Sequence, residues 1–292
     1  MLRAAILTPD PAGPWADSRW AKVLEVEAAP LRAAGFIVEG RPWTDGGSLA
    51  GFDLVLPLLA WGYPQAGERW HERVDAWEHA GVRLMNAASV LRWNADKMYL
   101  ERLADLGAPV IPTLHCNRVT AQEMARAVEA FGTDRLVAKP RASSGAWQTI
   151  RWSPGSSLDD GPEGEAMIQP YLPSIESDGE LSLLYLGGRF SHAIRKRPQP
   201  GDFRVQPEYR GIITAETPAA DEMAAAEAVL RAAAEPLLYA RIDLVRGTGG
   251  EPLLIELEAI EPDLYLEYSD EAGANFANAA RSFVERGAFG AG

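Results

Sequence analysis

Four carboxylates have apolar neighbours in a stretch near the C-terminal end of the sequence. Residues 239–262 read YARIDLVRGTGGEPLLIELEAIEP, with Asp243, Glu256, Glu258 and Glu261 among Ile, Leu and Val. The GTGG turn predicts that the two apolar segments pair as an antiparallel hairpin. Because burying an unpaired carboxylate is costly, the fold must either leave one face of this hairpin in water or supply cations to it.

The spacing of the acids favours a metal site. Glu256 and Glu258 are two residues apart and therefore share a face of their strand, and the turn can place Asp243 on the same face. Three such carboxylates cannot all stay ionised without a cation. Oxygen donors with no nearby Cys or His favour Mg²⁺ or Mn²⁺. The alternative is a solvated strand face with simple in–out alternation, and Glu261 fits either a supporting or a structural role.

Composition excludes several classes of protein. The 292 residues suffice for two modest domains or for one with a large insertion, and the net charge of −13 argues against a nucleic-acid-binding or anionic-membrane surface. The single cysteine, Cys116, rules out an internal disulfide framework and is compatible with a reducing cytoplasm, where we expect the protein. No apolar run approaches the ~18 residues that span a bilayer, and the N-terminus does not resemble a signal peptide.

The chain divides into three units by pattern. Residues 1–92 alternate strand and helix signals, which predicts a small parallel sheet with helices on its faces. Residues 93–167 predict a compact α+β unit of helices and short strands. Residues 168–292 are rich in hairpin signals, including the Gly187-Gly188 turn, and close with a helix. The expected fold class is therefore α/β followed by α+β.

Two lysines and a loop of small residues suggest anion binding. Lys139 ends the strand RLVAKP, and the loop after it contains Ser143, Ser144 and Gly145, small residues that let backbone N–H groups approach a phosphate. Lys97 lies near the positive end of a helix, a position that makes more sense if an anion binds there. A hairpin turn and a surface lysine are the alternatives. The stretch MIQPYLP predicts an extended edge that can read adenine, or an ordinary strand end.

In this order the motifs resemble the ATP-grasp superfamily over essentially the whole chain. The glutathione synthetase-like branch is the nearest, and within it the family of the O-ureido-serine cyclo-ligase of cycloserine biosynthesis. That narrower resemblance rests on LRWNADKMYLERLADLGAPVIPT, MIQPYLPSIESDGELSLLYLGGRFSHAIRK and LYARIDLV with LLIELEAIEPDLYL. It implies an N-terminal pre-ATP-grasp domain (1–92), a small lid subdomain (93–167) and a large subdomain with the metal site (168–292). The two α+β subdomains would clamp ATP.

The resemblance also implies roles for individual residues. The residues expected to bind ATP are Lys97, Lys139, Ser143, Ser144 and Gly145 at the phosphates, Gln169, Tyr171 and Leu172 at adenine, and Glu180 at the ribose. Those expected to hold two Mg²⁺ ions, or Mn²⁺, are Asp243, Glu256 and Glu258. Those expected to stabilise the transferring phosphoryl group are Arg195, Lys196 and Arg204. Many glutathione synthetase-like enzymes have Asn where this chain has Glu258.

The implied activity is an ATP-dependent carboxylate–amine ligase that forms an acyl phosphate from an amino acid or a derivative. The alternatives are an intramolecular cyclo-ligase and a non-catalytic ATP-binding regulatory protein. The expected partners are a small-molecule carboxylate and a nucleophile, with no nucleic acid or membrane, and a homodimer is compatible with the relatives. Related sequences carry Trp-Asp-Tyr where this chain has Trp61-Gly62-Tyr63, which predicts a different acceptor site.

Overall fold

The computed structural model of the chain describes residues 1–143, 145–199 and 211–286. Within this part of the chain the strands form three sheets. One is parallel and belongs to the N-terminal third of the sequence, and two are antiparallel. This mixture of α/β and α+β architecture confirms the fold class expected from the sequence.

The N-terminal unit is a parallel sheet with strand order β2-β1-β3. Its strands are β1 (Leu2–Thr8), β2 (Phe36–Pro42) and β3 (Leu54–Leu56). The centre of β1 is wholly buried because helices α1 (Trp20–Ala33) and α2 (Gly67–His79) enclose the sheet with apolar residues. The β-α-β alternation of the sequence thus produces the expected parallel sheet.

Two short helices, α3 (Ala88–Trp93) and α4 (Tyr99–Asp105), connect this sheet to the next unit. Buried asparagines fix the connection. Asn86 donates through Nδ2 to the carbonyls of Tyr239 (2.9 Å) and Ala259 (2.7 Å) and accepts from another backbone N–H. The N-terminal unit is therefore hydrogen-bonded directly to the strands that carry the acidic residues.

The second sheet is antiparallel, with order β4-β7-β5-β6. Its strands are β4 (Leu114–Cys116), β5 (Leu136–Pro140), β6 (Ile150–Trp152) and β7 (Ala166–Pro170). Helix α5 (Ala121–Phe131) covers it and begins after Thr120, whose hydroxyl accepts from the N–H of Glu123 at 3.2 Å. Strand β7 straddles the expected subdomain boundary between residues 167 and 168.

The third sheet is antiparallel, with order β10-β9-β8-β11-β12. Its strands are β8 (Glu180–Leu186), β9 (Arg189–Arg197), β10 (Ile212–Glu216), β11 (Tyr239–Arg246) and β12 (Pro252–Glu258). Both hairpins expected from the sequence are present: β8 pairs with β9, and β11 pairs with β12.

Helices complete the third unit. The short helix α6 (Ser174–Ser177) follows β7, α7 (Ala220–Ala233) packs on β11 and β12, and α8 (Ala272–Arg286) packs against α1 of the N-terminal unit. The apolar contacts of α8 join the first and third sheets into one core. No helix in the described ranges is long and apolar enough to cross a membrane.

Candidate active site

A cleft of about 920 Å³ lies where the three sheets meet. Its walls come from the N-terminal unit, from strands β5 and β7 with the loop after β5, and from the hairpin of β11 and β12. A cavity of this size, lined by apolar groups with convergent charged ones, is typical of a small-molecule site. Most residues with expected functions lie on its walls.

The acidic hairpin forms the floor of the cleft. In the register of β11 and β12, Asp243 lies opposite Glu256 and Arg241 lies opposite Glu258. A β-bulge after Asp243 shifts the register on the turn side of this pair. The side-chain amide of Asn94 fixes the end of β12, because it donates to the carbonyl of Leu257 at 2.7 Å. All three predicted metal ligands therefore face one cleft.

Asp243 is buried within a network of hydrogen bonds. It accepts from the Ser182 hydroxyl (2.5 Å) and from the Arg241 guanidinium (3.0–3.2 Å), and it lies 3.4 Å from the Lys196 ammonium. Burial favours the neutral acid, but Arg241 and Lys196 outweigh it and hold the pKa of Asp243 well below its usual range. Asp243 is thus an anion over the whole physiological range.

Glu256 and Glu258 each have one cationic partner. The Lys97 ammonium lies 3.1 Å from Glu256 and also donates to the backbone carbonyl of Ser143 at 2.6 Å. Glu258 accepts a hydrogen bond from Arg241. Burial, with the nearby charges of Glu256 and Asp243, raises the pKa of Glu258 to about 8 despite Arg241. Arg241 therefore does not fully offset the effect of burial on the Glu258 carboxyl.

The acids do not form a ready-made metal cluster. Within the described ranges, no three His, Cys, Asp or Glu side chains lie close enough to hold a metal ion. The expected convergence of three carboxylates is replaced by an alternation of acids and cations, in which Arg241 lies between Asp243 and Glu258. The donor set nevertheless fits Mg²⁺, because every acidic ligand is a hard oxygen and a cation beside Glu258 would favour its ionised form.

Lys139 and the loop after it form the upper wall. Lys139, Ser143 and Gly145 line the cleft. Burial, followed by repulsion from Lys97, lowers the pKa of Lys139 to about 8, although Glu256 opposes the shift. Gly145 has a φ of +62°, a conformation that favours glycine. The predicted Ser144 lies outside the described residues.

The expected adenine-binding residues all line the cleft. Gln169 lies in β7, and Tyr171 and Leu172 follow the end of that strand. Gln169 is buried and donates to the Thr113 hydroxyl at 2.9 Å. Glu180, expected at the ribose, lines the cleft in an ion pair with the Lys196 ammonium. The structure thus brings Glu180 into the charged network of Asp243 as well.

Two of the basic residues expected at the transferring phosphoryl group lie on opposite faces of strand β9. Lys196 points into the cleft, whereas Arg195 points away and pairs with Glu216 (3.0 Å) and Glu222 (3.2 Å). Because neighbouring residues of a strand face opposite sides, the two cannot both contact one ligand. The structure does not bring Arg195 to the cleft, and Arg204 lies outside the described residues.

Arg241 is the main cleft residue that our reading of the sequence missed. It is buried, lines the cleft and binds two of the three acids. A signal was available, because Arg241 and Asp243 are two residues apart in the strand RID and so share a face.

The N-terminal wall has a steric requirement for glycine at position 62. Gly62 has a φ of +90°, and the indole nitrogen of Trp15 lies 2.8 Å from where a Cβ at position 62 would stand. An aspartate at position 62 would require both a strained backbone and a displaced Trp15. In this chain, Trp15 fills the space that an acid would need.

Comparison with solved structures identifies the class of protein as an ATP-grasp ligase. The D-alanine–D-alanine ligase from Bacillus anthracis superposes with a TM-score of 0.68 at 15% identity, over 98% of this chain and 97% of that one. The crystal structure of D-cycloserine synthetase DcsG superposes with a TM-score of 0.81 at 27% identity, over 97% of this chain and 99% of that one. The ATP-grasp fold expected from the sequence is confirmed.

Sequence comparison identifies the family within this class of ligases. The family described as D-cycloserine synthetase DcsG, N-terminal domain, matches residues 5–86. The cycloserine biosynthesis protein DcsG of Streptomyces lavendulae is 30% identical over 85% of this chain and 89% of its own length. A glutathione synthetase of Parasynechococcus marenigrum is also 30% identical, over 80% of this chain and 75% of its own length. The chain belongs to the DcsG family of ATP-grasp ligases.

Proposed function

We propose that this ligase joins a carboxylate to an amine, using Mg·ATP and an acyl-phosphate intermediate, and that its substrate is an amino acid or a derivative. The observation that supports this most strongly is the cleft floor, where Asp243 and Glu258 alternate with Lys196 and Arg241. Such alternating charge suits a polyphosphate bound together with metal ions.

The proposed roles follow the walls of the cleft. Lys97 and Lys139 bind the ATP phosphates under the loop that contains Ser143 and Gly145, and the segment after β7 binds adenine. The residues that would hold Mg²⁺ are Asp243, Glu256 and Glu258. When bound, Mg²⁺ would neutralise charge on the transferring phosphoryl group. Lys196 and Arg241, buried beside these acids, orient the γ-phosphate and the substrate carboxylate.

The reaction proceeds in two displacements. An oxygen of the substrate carboxylate attacks the γ-phosphorus, the bond to the β-phosphate oxygen breaks, and ADP leaves. The nitrogen lone pair of the acceptor then attacks the acyl carbon, phosphate departs, and the nitrogen loses a proton. The loop after β5 keeps water from hydrolysing the acyl phosphate.

A second candidate is an intramolecular cyclo-ligase, in which the acceptor belongs to the activated molecule. It is supported by the similarity to D-cycloserine synthetase DcsG over nearly the whole chain.

We also propose that residues 1–92, 93–167 and 168–292 act as three units, with strand β7 joining the last two, and that the chain forms a homodimer.

An ADP-release screen tests the proposed function. Amino acids and derivatives are supplied with Mg·ATP, first singly and then in pairs. We expect Mg²⁺-dependent ADP release that requires a free carboxylate on the substrate. Dependence on two compounds indicates intermolecular ligation, and dependence on one indicates cyclisation. ADP release at the same rate with carboxyl-amidated compounds would contradict the proposal.

Lys139→Met is expected to weaken ATP binding about 10- to 100-fold, the effect of losing a charge-assisted hydrogen bond. In the wild type without metal, ATP affinity should fall as pH rises from 7 to 9, because Lys139 loses its proton near its pKa of about 8. Lys139→Met should remove this dependence of the ATP affinity on pH. Calorimetric titration with EDTA present measures both effects.

Lys22→Met is the matched control, since Lys22 is exposed on α1 away from the cleft. It should bind ATP like the wild type at each pH. An unchanged dissociation constant for Lys139→Met at pH 7 would exclude a contact between Lys139 and the phosphates.

A further inference from the structure

Glu27 is a buried carboxylate that the charged network on the cleft floor does not use. It lies on α1 and lines the cleft, although only 2% of the residue is exposed. Within the described part of the chain, neither of its carboxyl oxygens has a hydrogen-bond partner. Because an unsatisfied buried carboxylate destabilises a fold, such a residue calls for a partner that the protein alone does not supply.

The charges around Glu27 favour a positively charged partner. Burial, and after it the negative charge of Asp263, raises the pKa of Glu27, and Glu267 acts in the same direction. Arg19 opposes the shift, but its guanidinium also binds Asp263 at 3.1 Å. Among the described charged groups that shift the pKa of Glu27, two are negative and one is positive.

Two tryptophans line the same cleft as Glu27, and the Arg19 guanidinium lies 5.8 Å from the centroid of one of them, Trp61. Trp15 and Trp61 both line the cleft, and their rings meet edge to face with centroids 5.8 Å apart. Aromatic faces stabilise organic cations through their quadrupoles. The indole nitrogen of Trp15 also lies 2.8 Å from where a Cβ at position 62 would stand.

We propose that Glu27 binds the ammonium group of an amino-acid substrate, an inference that rests on the proposed ligase function and specifies its substrate class. A primary ammonium donates up to three hydrogen bonds and would satisfy both carboxyl oxygens. The bound ammonium has no lone pair, so the nitrogen held by Glu27 is not the nucleophile that attacks the acyl phosphate. The substrate therefore carries a free amine that remains unacylated, in addition to the groups that react.

The test measures binding of a cation that cannot be phosphorylated. Alaninamide carries an ammonium but no carboxylate, and lactamide replaces the ammonium with a hydroxyl. Each compound is titrated by saturation-transfer NMR into the full chain with Mg²⁺ and a non-hydrolysable ATP analogue, up to ~50 mM. We expect alaninamide to bind at least ~10-fold more tightly than lactamide, and Glu27→Gln to abolish that difference.

Glu25→Gln is the matched control, since Glu25 lies two residues away on the exposed side of α1 and pairs with Arg32. It should retain the preference for alaninamide. Equal binding of the two amides to the wild type, no detectable binding of alaninamide, or a preference that survives in Glu27→Gln would each overturn the proposal.

Thermal unfolding distinguishes a ligand-binding role from a structural one. Burial raises the pKa of Glu27, and neither carboxyl oxygen has a hydrogen-bond partner among the described residues, so the isosteric amide removes no interaction and the Tm of Glu27→Gln should not fall below that of the wild type. A clear drop in Tm would assign the carboxylate to the fold and overturn the proposal. Because alaninamide has no carboxylate, its binding does not depend on ATP turnover. A failed ADP-release screen with intact alaninamide binding would therefore count against the ligase chemistry alone.

Discussion

Glu256→Gln is expected to lower the rate of ADP release by about 10²–10³-fold, the usual effect of removing one preorganised electrostatic group from an active site. Glu256 lies opposite Asp243 in the hairpin register and pairs with Lys97 at 3.1 Å. The amide keeps the shape of the side chain but removes the charge that would bind metal. The Mg²⁺ concentration required for half-maximal activity should rise, which a titration of ADP release with Mg²⁺ measures.

Glu256→Gln is a cleaner test than Asp243→Asn. Asp243 compensates the buried charges of Arg241 and Lys196, and its removal should unfold part of the population. The control is Glu251→Gln, in the exposed turn of the same hairpin and outside the cleft. We expect Glu251→Gln to keep wild-type activity. A folded Glu256→Gln protein with normal ADP release at low Mg²⁺ would refute the metal assignment.

The acidic hairpin of β11 and β12 could be predicted because residues close together in the sequence determine it. Alternation with a period of two assigns Glu256 and Glu258 to one face, and a glycine-rich turn brings Asp243 opposite. The structure adds only the register, in which Asp243 pairs with Glu256 across a bulge. The apolar residues that alternate with the acids pack against α7, so a slip of one residue would bury the acids in that core.

The cations of the site were harder to predict because they come from different elements. Lys97 follows α3 and Lys196 lies on β9, and only the assembled fold brings these two lysines to the acids of β11 and β12. Which of Arg195 and Lys196 faces the cleft depends on which face of strand β9 each of them occupies. The sequence alone does not assign the two faces when both residues are basic and the apolar and polar residues around them do not alternate regularly.

Glu27 shows a different limit of prediction from the sequence. In the sequence it lies on the apolar side of an amphipathic helix, close in spacing to Val23, Ala28 and Leu31. Helical periodicity shows that such a residue is buried but not what it faces. Whether Glu27 meets the core or a cleft depends on how α1 packs against the third unit through α8, a contact between residues about 250 positions apart in the chain.

Arg241→Met is expected to abolish ATP turnover and to destabilise the metal-free protein by about 3–5 kcal/mol, the usual effect of removing one partner of a buried ion pair. Arg241 is buried and binds both Asp243 and Glu258. Without it, the carboxyl of Glu258 loses its cationic partner, and its pKa should rise above the wild-type value of about 8.

The loss of stability in Arg241→Met should depend on pH. A carboxyl whose pKa is raised in the folded state favours folding below its unfolded pKa and loses that contribution as pH rises through the folded value. Glu258 should therefore destabilise the variant more at pH 8.5 than at pH 6. Thermal unfolding of the variant and the wild type at both pH values, without metal, measures the difference.

Mg²⁺ should restore part of the stability of Arg241→Met, because the ion would supply the positive charge that Asp243 and Glu258 have lost. The increase in Tm with Mg²⁺ should then be larger for Arg241→Met than for the wild type. Arg246→Met is the control: Arg246 lies on the same strand but binds Asp221 and Glu222 outside the cleft, so Mg²⁺ should not rescue its stability. Equal Mg²⁺ effects on Arg241→Met, Arg246→Met and the wild type would mean that Arg241 and the metal do not share these carboxylates, and the charge alternation on the cleft floor would then serve the fold alone.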